Sequence, residues 1–182
     1  MNETVEIHYS RAFAYFAFIL LIALISFLTY LVMSGDTERW RGNGLIFLGV
    51  FAFLLLSLTI YLISKYLIPA AKNQNAIILN SDFIIDNIRN DKISWNNVRD
   101  IRSINGRANF IAIDLINNSE VTHQTKNIFK KILYANNEIF YGTPILIPTQ
   151  FVDGSNKEIM NIFFAFFQQT RTACNSGLQQ VG

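Results

Sequence analysis

The chain has 182 residues, a formal net charge of +2 and 51% hydrophobic residues. That charge is too small for a nucleic-acid-binding surface, and a single cysteine, Cys174, excludes an internal disulfide. Charged residues make up 15%, below the roughly 25% of soluble domains, and the deficit falls in two apolar stretches that leave room for one domain of about 110 residues.

Residues 1–11 read as a cytoplasmic strand or tail. Val5, Ile7 and Tyr9 alternate with Thr4, Glu6 and His8, the period of a half-buried strand. Residues 12–33 and 45–64 contain no Asp, Glu, Lys or Arg. At about 1.5 Å per residue each reaches roughly 30 Å, the thickness of a bilayer's hydrocarbon core. Neither shows the polar stripe of a soluble amphipathic helix. Transmembrane helices over 12–33 and 45–66 are therefore expected, joined by a short external loop, 34–44. Arg39 and Arg41 lie in that loop, against Arg11, Lys65 and Lys72 on the other side. The bias favours cytoplasmic termini. Pro69 is read as ending the second helix, with a linker over 67–75.

A domain over 76–172 follows. From residue 73 onward it carries ten Lys/Arg against nine Asp/Glu. Two β-rich runs flank Asn80-Ser81-Asp82, a hairpin signal. Val98, Ile101 and Ile104 lie three apart, which fits either a helical turn or a bulged strand. Asn105-Gly106 is a turn signal, and Ile111, Ile113 and Leu115 define an aliphatic strand face. Ile128, Phe129, Ile132, Leu133 and Ala135 recur at helical spacing, with Lys126, Lys130 and Lys131 off that stripe. This pattern predicts an amphipathic helix closed by Gly142-Thr143-Pro144. Pro148 then suits an edge strand or a bulge, not a central strand. Ser155 and Glu158 form a capping box ahead of an apolar stripe running from Ile159 to Phe167, and 173–182 reads as a flexible tail.

Short antiparallel strands followed by one closing amphipathic helix give the expected fold class. It is a membrane α-helical hairpin plus an α+β domain, the latter a curved antiparallel sheet closed by a C-terminal amphipathic helix, which looks like the pleckstrin-homology-like (PH-like) fold. Three stretches carry a more specific resemblance: Ile7-His8-Tyr9-Ser10-Arg11, Ile93-Ser94-Trp95 with Val98 and Ile101, and Tyr141-Gly142-Thr143-Pro144-Ile145. On these the chain resembles a family of small uncharacterised bacterial membrane proteins with a two-helix hairpin and a pleckstrin-homology-like domain. The resemblance implies a fold and a location in the bacterial inner membrane, and it supplies no catalytic residues to carry over; with the charge bias, the expected topology is multi-pass with both termini in the cytoplasm.

Catalytic patterns are missing from the sequence. His8 and His123 are far apart, and no HExxH, CxxC, P-loop or GxSxG spacing occurs. Asp82, Asp86, Asp91, Asp100 and Asp114 fall mostly at turns or strand ends, where carboxylates stabilise the backbone. No enzyme, metal or cofactor is expected. The first strand turn is acidic at Asp82, which disfavours a phosphoinositide ligand. Lys65, Lys72, Lys126, Lys130 and Lys131 are candidate contacts with membrane lipid. Phe164, beside the apolar stripe, is the candidate contact for a protein partner or a homo-oligomer, with Trp95 and the stripe itself expected in the core. The expected role is a membrane-surface interaction protein. The alternative is an immunity or envelope-stress-protection protein that acts by binding a toxin or other partner.

Overall fold

The computed structural model describes residues 4–34, 43–104, 109–119 and 125–178. The expected loop residues 35–42, the Asn105-Gly106 turn and His123 lie outside them. The chain divides into a helical unit, Tyr9–Gln74, and a second unit made of Met1–His8 with Asn75–Gly182.

In the helical unit, α1 (Arg11–Ser34) starts at Ser10, whose hydroxyl accepts from the Phe13 amide at 3.3 Å. Helix α2 (Asn43–Leu62) passes through a π turn, Ile63–Leu67, into a last turn, α3 (Ile68–Ala71). The helical backbone therefore continues past Pro69, where the sequence suggested a stop. Proline lacks an amide hydrogen and crowds the carbonyl four residues back. Five-residue hydrogen bonding, as from the Ile68 amide to the Ile63 carbonyl, lets the chain accommodate it. Asn73, in the left-handed region at φ 52°, ends the helix, and its Oδ1 accepts from Arg11 Nη2 at 3.2 Å. The Tyr9 amide also donates to the Gln74 carbonyl at 3.3 Å, so both ends of this unit meet. Ala14 and Leu21 of α1 are buried. They help line a shallow apolar cleft with Phe18, Leu62, Tyr66 and Leu67.

Among the described residues one helical segment, Gly49–Ala71, is long and apolar enough to cross a membrane, and Arg11–Phe27 is a shorter apolar stretch. The hydroxyls of Thr29, Ser57 and Thr59 bond back to the carbonyls of Ile25, Phe53 and Leu55, so these polar groups are satisfied within their own helices.

The second unit is α+β with two antiparallel sheets. Strands β1 (Val5–His8), β2 (Asn75–Leu79), β3 (Phe83–Asp86) and β4 (Asp91–Ser94) form one sheet in that order. Val5 pairs with Leu79 and Ile7 with Ile77, so β1 joins β2 although 66 residues separate His8 from Asn75. Strands β5 (Val98–Ile104), β6 (Phe110–Leu115) and β7 (Ile145–Pro148) form the other, with β7 and its Pro148 at an edge. The three-residue spacing in β5 is a bulge between Val98 and Asp100, which turns both Val98 and Ile101 inward. The core gathers Ile77, Leu79, Ile84, Ile111, Ile113 and Ile147 from both sheets.

The expected closure of a single curved sheet does not form; the sheets are not closed. A 3-10 turn, Trp95–Asn97, follows β4 with the Ser94 hydroxyl accepting from the Asn96 amide at 3.4 Å. This turn takes the chain out of the first ladder before β5 begins. The C-terminal helix (Asn156–Leu178) is present and runs beyond residue 172. Its capping box is complete: Glu158 N donates to Ser155 Oγ at 3.2 Å, and Ser155 N to Glu158 Oε2 at 2.8 Å. Ile159, Phe163, Phe166 and Phe167 are buried, with Trp95 stacked on Phe166 at 6.3 Å between ring centroids.

A further helix, α4 (Ile128–Tyr141), lies between β6 and β7, so the C-terminal helix is α5. The amphipathic pattern predicts α4, but its apolar stripe does not pack inward. Ile128, Phe129, Ile132 and Leu133 are exposed, while Tyr134 and Asn137 are buried. Hydrogen bonding on the opposite face sets this orientation.

Candidate functional site: an outward apolar helix on a buried polar seat

Asn127 starts α4, its Oδ1 accepting from the amides of Phe129 and Lys130 at 2.9 and 3.4 Å. Gly142 ends it at φ +75°, a conformation that suits glycine because no Cβ clashes there, and its amide reaches the Glu138 carbonyl at 2.9 Å. Lys130, Tyr134, Asn137, Glu138 and Tyr141 are three, four or one apart, so they share one face. That face makes the contacts. The Tyr134 hydroxyl donates to Asp91 Oδ1. Lys130 Nζ lies 2.5 Å from Asp91 Oδ1 and donates to the Asn90 carbonyl at 2.9 Å. Asn137 Nδ2 donates to the Pro144 carbonyl at 3.0 Å, and Glu138 Oε1 accepts from Asn118 Nδ2 at 2.7 Å. Arg102, held on Asp114 at 2.7 and 3.0 Å, donates to the Tyr141 carbonyl at 2.7 Å.

Beneath the helix, Asp86 and Asp91 are register partners across β3 and β4, and both are buried. Asp86 Oδ1 accepts from the amides of Ile88 at 2.8 Å and Arg89 at 3.2 Å, fixing the turn. Burial first, and the Asp91 charge second, pushes the Asp86 carboxyl up to about 6. Burial, with the hydrogen bond to Asp91 next, raises the Tyr134 hydroxyl above its usual range, so it stays a neutral donor. Among the described residues no three His, Cys, Asp or Glu side chains cluster as metal ligands. This arrangement suits a structural seat: Oδ1 of each carboxylate is engaged with the backbone or side chains that hold α4 and the β3–β4 turn.

The five candidate lysines are divided between the two units. Lys65 lies in the π turn and Lys72 follows α3, both in the helical unit. Lys126, Lys130 and Lys131 belong to the second unit. Of these Lys130 is folded into the seat, and Lys126 and Lys131 are exposed. Phe164 is 38% exposed beside the buried Phe163, Phe166 and Phe167. Trp95 is buried, with Nε1 donating to the Asn80 carbonyl at 2.7 Å.

Larger exposed aromatics lie elsewhere, at Phe129 (79%) and Phe140 (77%). Sequence reasoning marked part of this stripe but assigned it no external contact. The available signal was the counterface, where Lys130, Tyr134, Asn137 and Glu138 offer hydrogen-bonding groups at helical spacing. No family model, curated protein or solved structure matches the chain. The chain is an α+β domain with antiparallel sheets and a C-terminal helix, interrupted in sequence by an apolar helical unit.

Proposed function

We propose that this chain is a non-enzymatic protein of the bacterial inner membrane, in which a two-helix hairpin anchors a cytoplasmic PH-like interaction domain. The observation that carries this reading is the position of the helical unit in the chain. It is inserted between β1 and β2, which pair with each other, and its own ends are joined by the Tyr9–Gln74 and Arg11–Asn73 hydrogen bonds. A segment that starts and ends in one place crosses a bilayer an even number of times. If Gly49–Ala71 crosses, α1 must return the chain, and its 24 residues suffice.

The side chains support the same reading. Phe16, Ile19 and Leu20 of α1, and Phe53, Leu54 and Leu56 of α2, are exposed. Water would penalise such a surface, whereas lipid would not. Positive charge at Arg11, Lys65 and Lys72 supports cytoplasmic ends. Binding is favoured over catalysis because the buried carboxylates are engaged in holding turns and α4. Fractionation of cells making the full chain tests the anchor. The chain should stay with membranes through alkaline carbonate and leave only in detergent; recovery in the soluble fraction without detergent would contradict it.

A further inference from the structure

We infer that the outward face of α4 is an interfacial helix that lies in the surface of the bilayer crossed by the anchor, with its apolar side chains among the lipid chains. This rests on the membrane-anchored reading and names the partner of the domain's exposed face. At about 100° per residue, Ala135, Ile128, Ile139, Ile132, Phe129, Phe140 and Leu133 cover roughly 160° of the helix, with Asn136 in their midst. All seven are exposed, with Phe129, Phe140 and Ile139 each at least three-quarters so. Lys131 borders this arc and Lys126 stands just ahead of the N-cap, both exposed. Apolar side chains centred on one face with lysines at its margin are the pattern of helices lying in an interface, where the ammonium groups reach anionic headgroups.

Reach favours lipid over a protein partner. Two residues, 9–10, separate β1 from α1, and three, 72–74, separate α3 from β2. At about 3.5 Å per residue the longer connection spans at most about 10 Å. A domain so tethered meets the bilayer surface at a high effective concentration, without a diffusing partner. The helix is also preorganised for contact. Capping by Asn127 and Gly142, with the hydrogen bonds to Asp91, Asn90, Asn118 and Pro144, holds the helix folded before any contact, so insertion need not order it.

The test uses the full chain with Cys174→Ser, reconstituted in vesicles of equal parts phosphatidylcholine and phosphatidylglycerol. An environment-sensitive fluorophore is placed at Phe140→Cys, at Phe129→Cys in a second variant, and at Phe53→Cys as a marker of the anchor. Both α4 positions are exposed, so labelling leaves the core intact. At Phe53, Phe129 and Phe140 alike, nitroxides on the lipid chains should quench several-fold more strongly than aqueous iodide. Lipid quenching at Phe53 with iodide quenching at both α4 positions would overturn the inference and leave the anchor standing. Shielding of the α4 labels from both quenchers, lost on dilution into excess lipid, would assign the face to a second copy and also overturn it. Loss of lipid quenching at Phe53 would remove the anchor, and this inference with it.

Discussion

Asp86 makes the domain sensitive to pH. Its carboxyl is raised from 3.8 to about 6 in the folded chain, chiefly by burial, so the folded state holds the proton more tightly than the unfolded one. Stability therefore falls as pH rises from about 4 through about 6, by up to about 3 kcal/mol from this group. Denaturant titrations of the full chain in detergent should show that slope, and Asp86→Asn, which keeps an oxygen for the Ile88 and Arg89 amides, should flatten it. An unchanged slope would place the titration elsewhere. The lysines separate in the same assay. Lys130→Gln leaves the buried Asp91 carboxylate short of a partner and should cost about 3 kcal/mol. Lys131→Gln, at an exposed position, should stay within about 0.5 kcal/mol of the parent. Nothing in the spacing of the lysines distinguishes Lys130, because its partner Asp91 lies 39 positions earlier and only the fold brings them together.

At the scale of elements, local signals were legible where local chemistry decides them. The Ser155–Glu158 box, the Asn80-Ser81-Asp82 turn and the proline at the β7 edge each depend on a few neighbouring residues, and each forms as expected. Ser155→Ala should cost about 1 kcal/mol through loss of the cap, read as a lower denaturation midpoint. The direction of α4 was not legible. Periodicity reveals that a helix has two unlike faces, and burial of the apolar one is the usual outcome. Here the inner face is chosen by contacts with residues far away in sequence: Asp91, Asn90, Asn118 and the Pro144 carbonyl. Sheet closure failed for a similar reason, since a three-residue 3-10 turn after β4 diverts the ladder and no periodicity announces it. The π turn before Pro69 was likewise hidden, because proline in the sequence signals a lost hydrogen bond but not how the backbone absorbs it.

For the whole molecule, one topological relation is decisive: β1 and β2 are sheet neighbours, yet the entire apolar unit lies between them in sequence. The alternation of Val5, Ile7 and Tyr9 made β1 readable, and the apolar runs made the insertion readable; their consequence for membrane crossing needed the pairing. The proposed hairpin anchor requires that the stretch between the two helices and the α+β domain lie on opposite sides of the bilayer. Cysteine accessibility in intact bacterial cells measures that directly, with Asp36→Cys and Ser81→Cys each made in a Cys174→Ser background. A membrane-impermeant maleimide should label position 36 in cells with a permeable outer envelope and intact inner membrane, and position 81 only after the inner membrane is opened. Labelling of both positions from the same side would contradict the hairpin anchor.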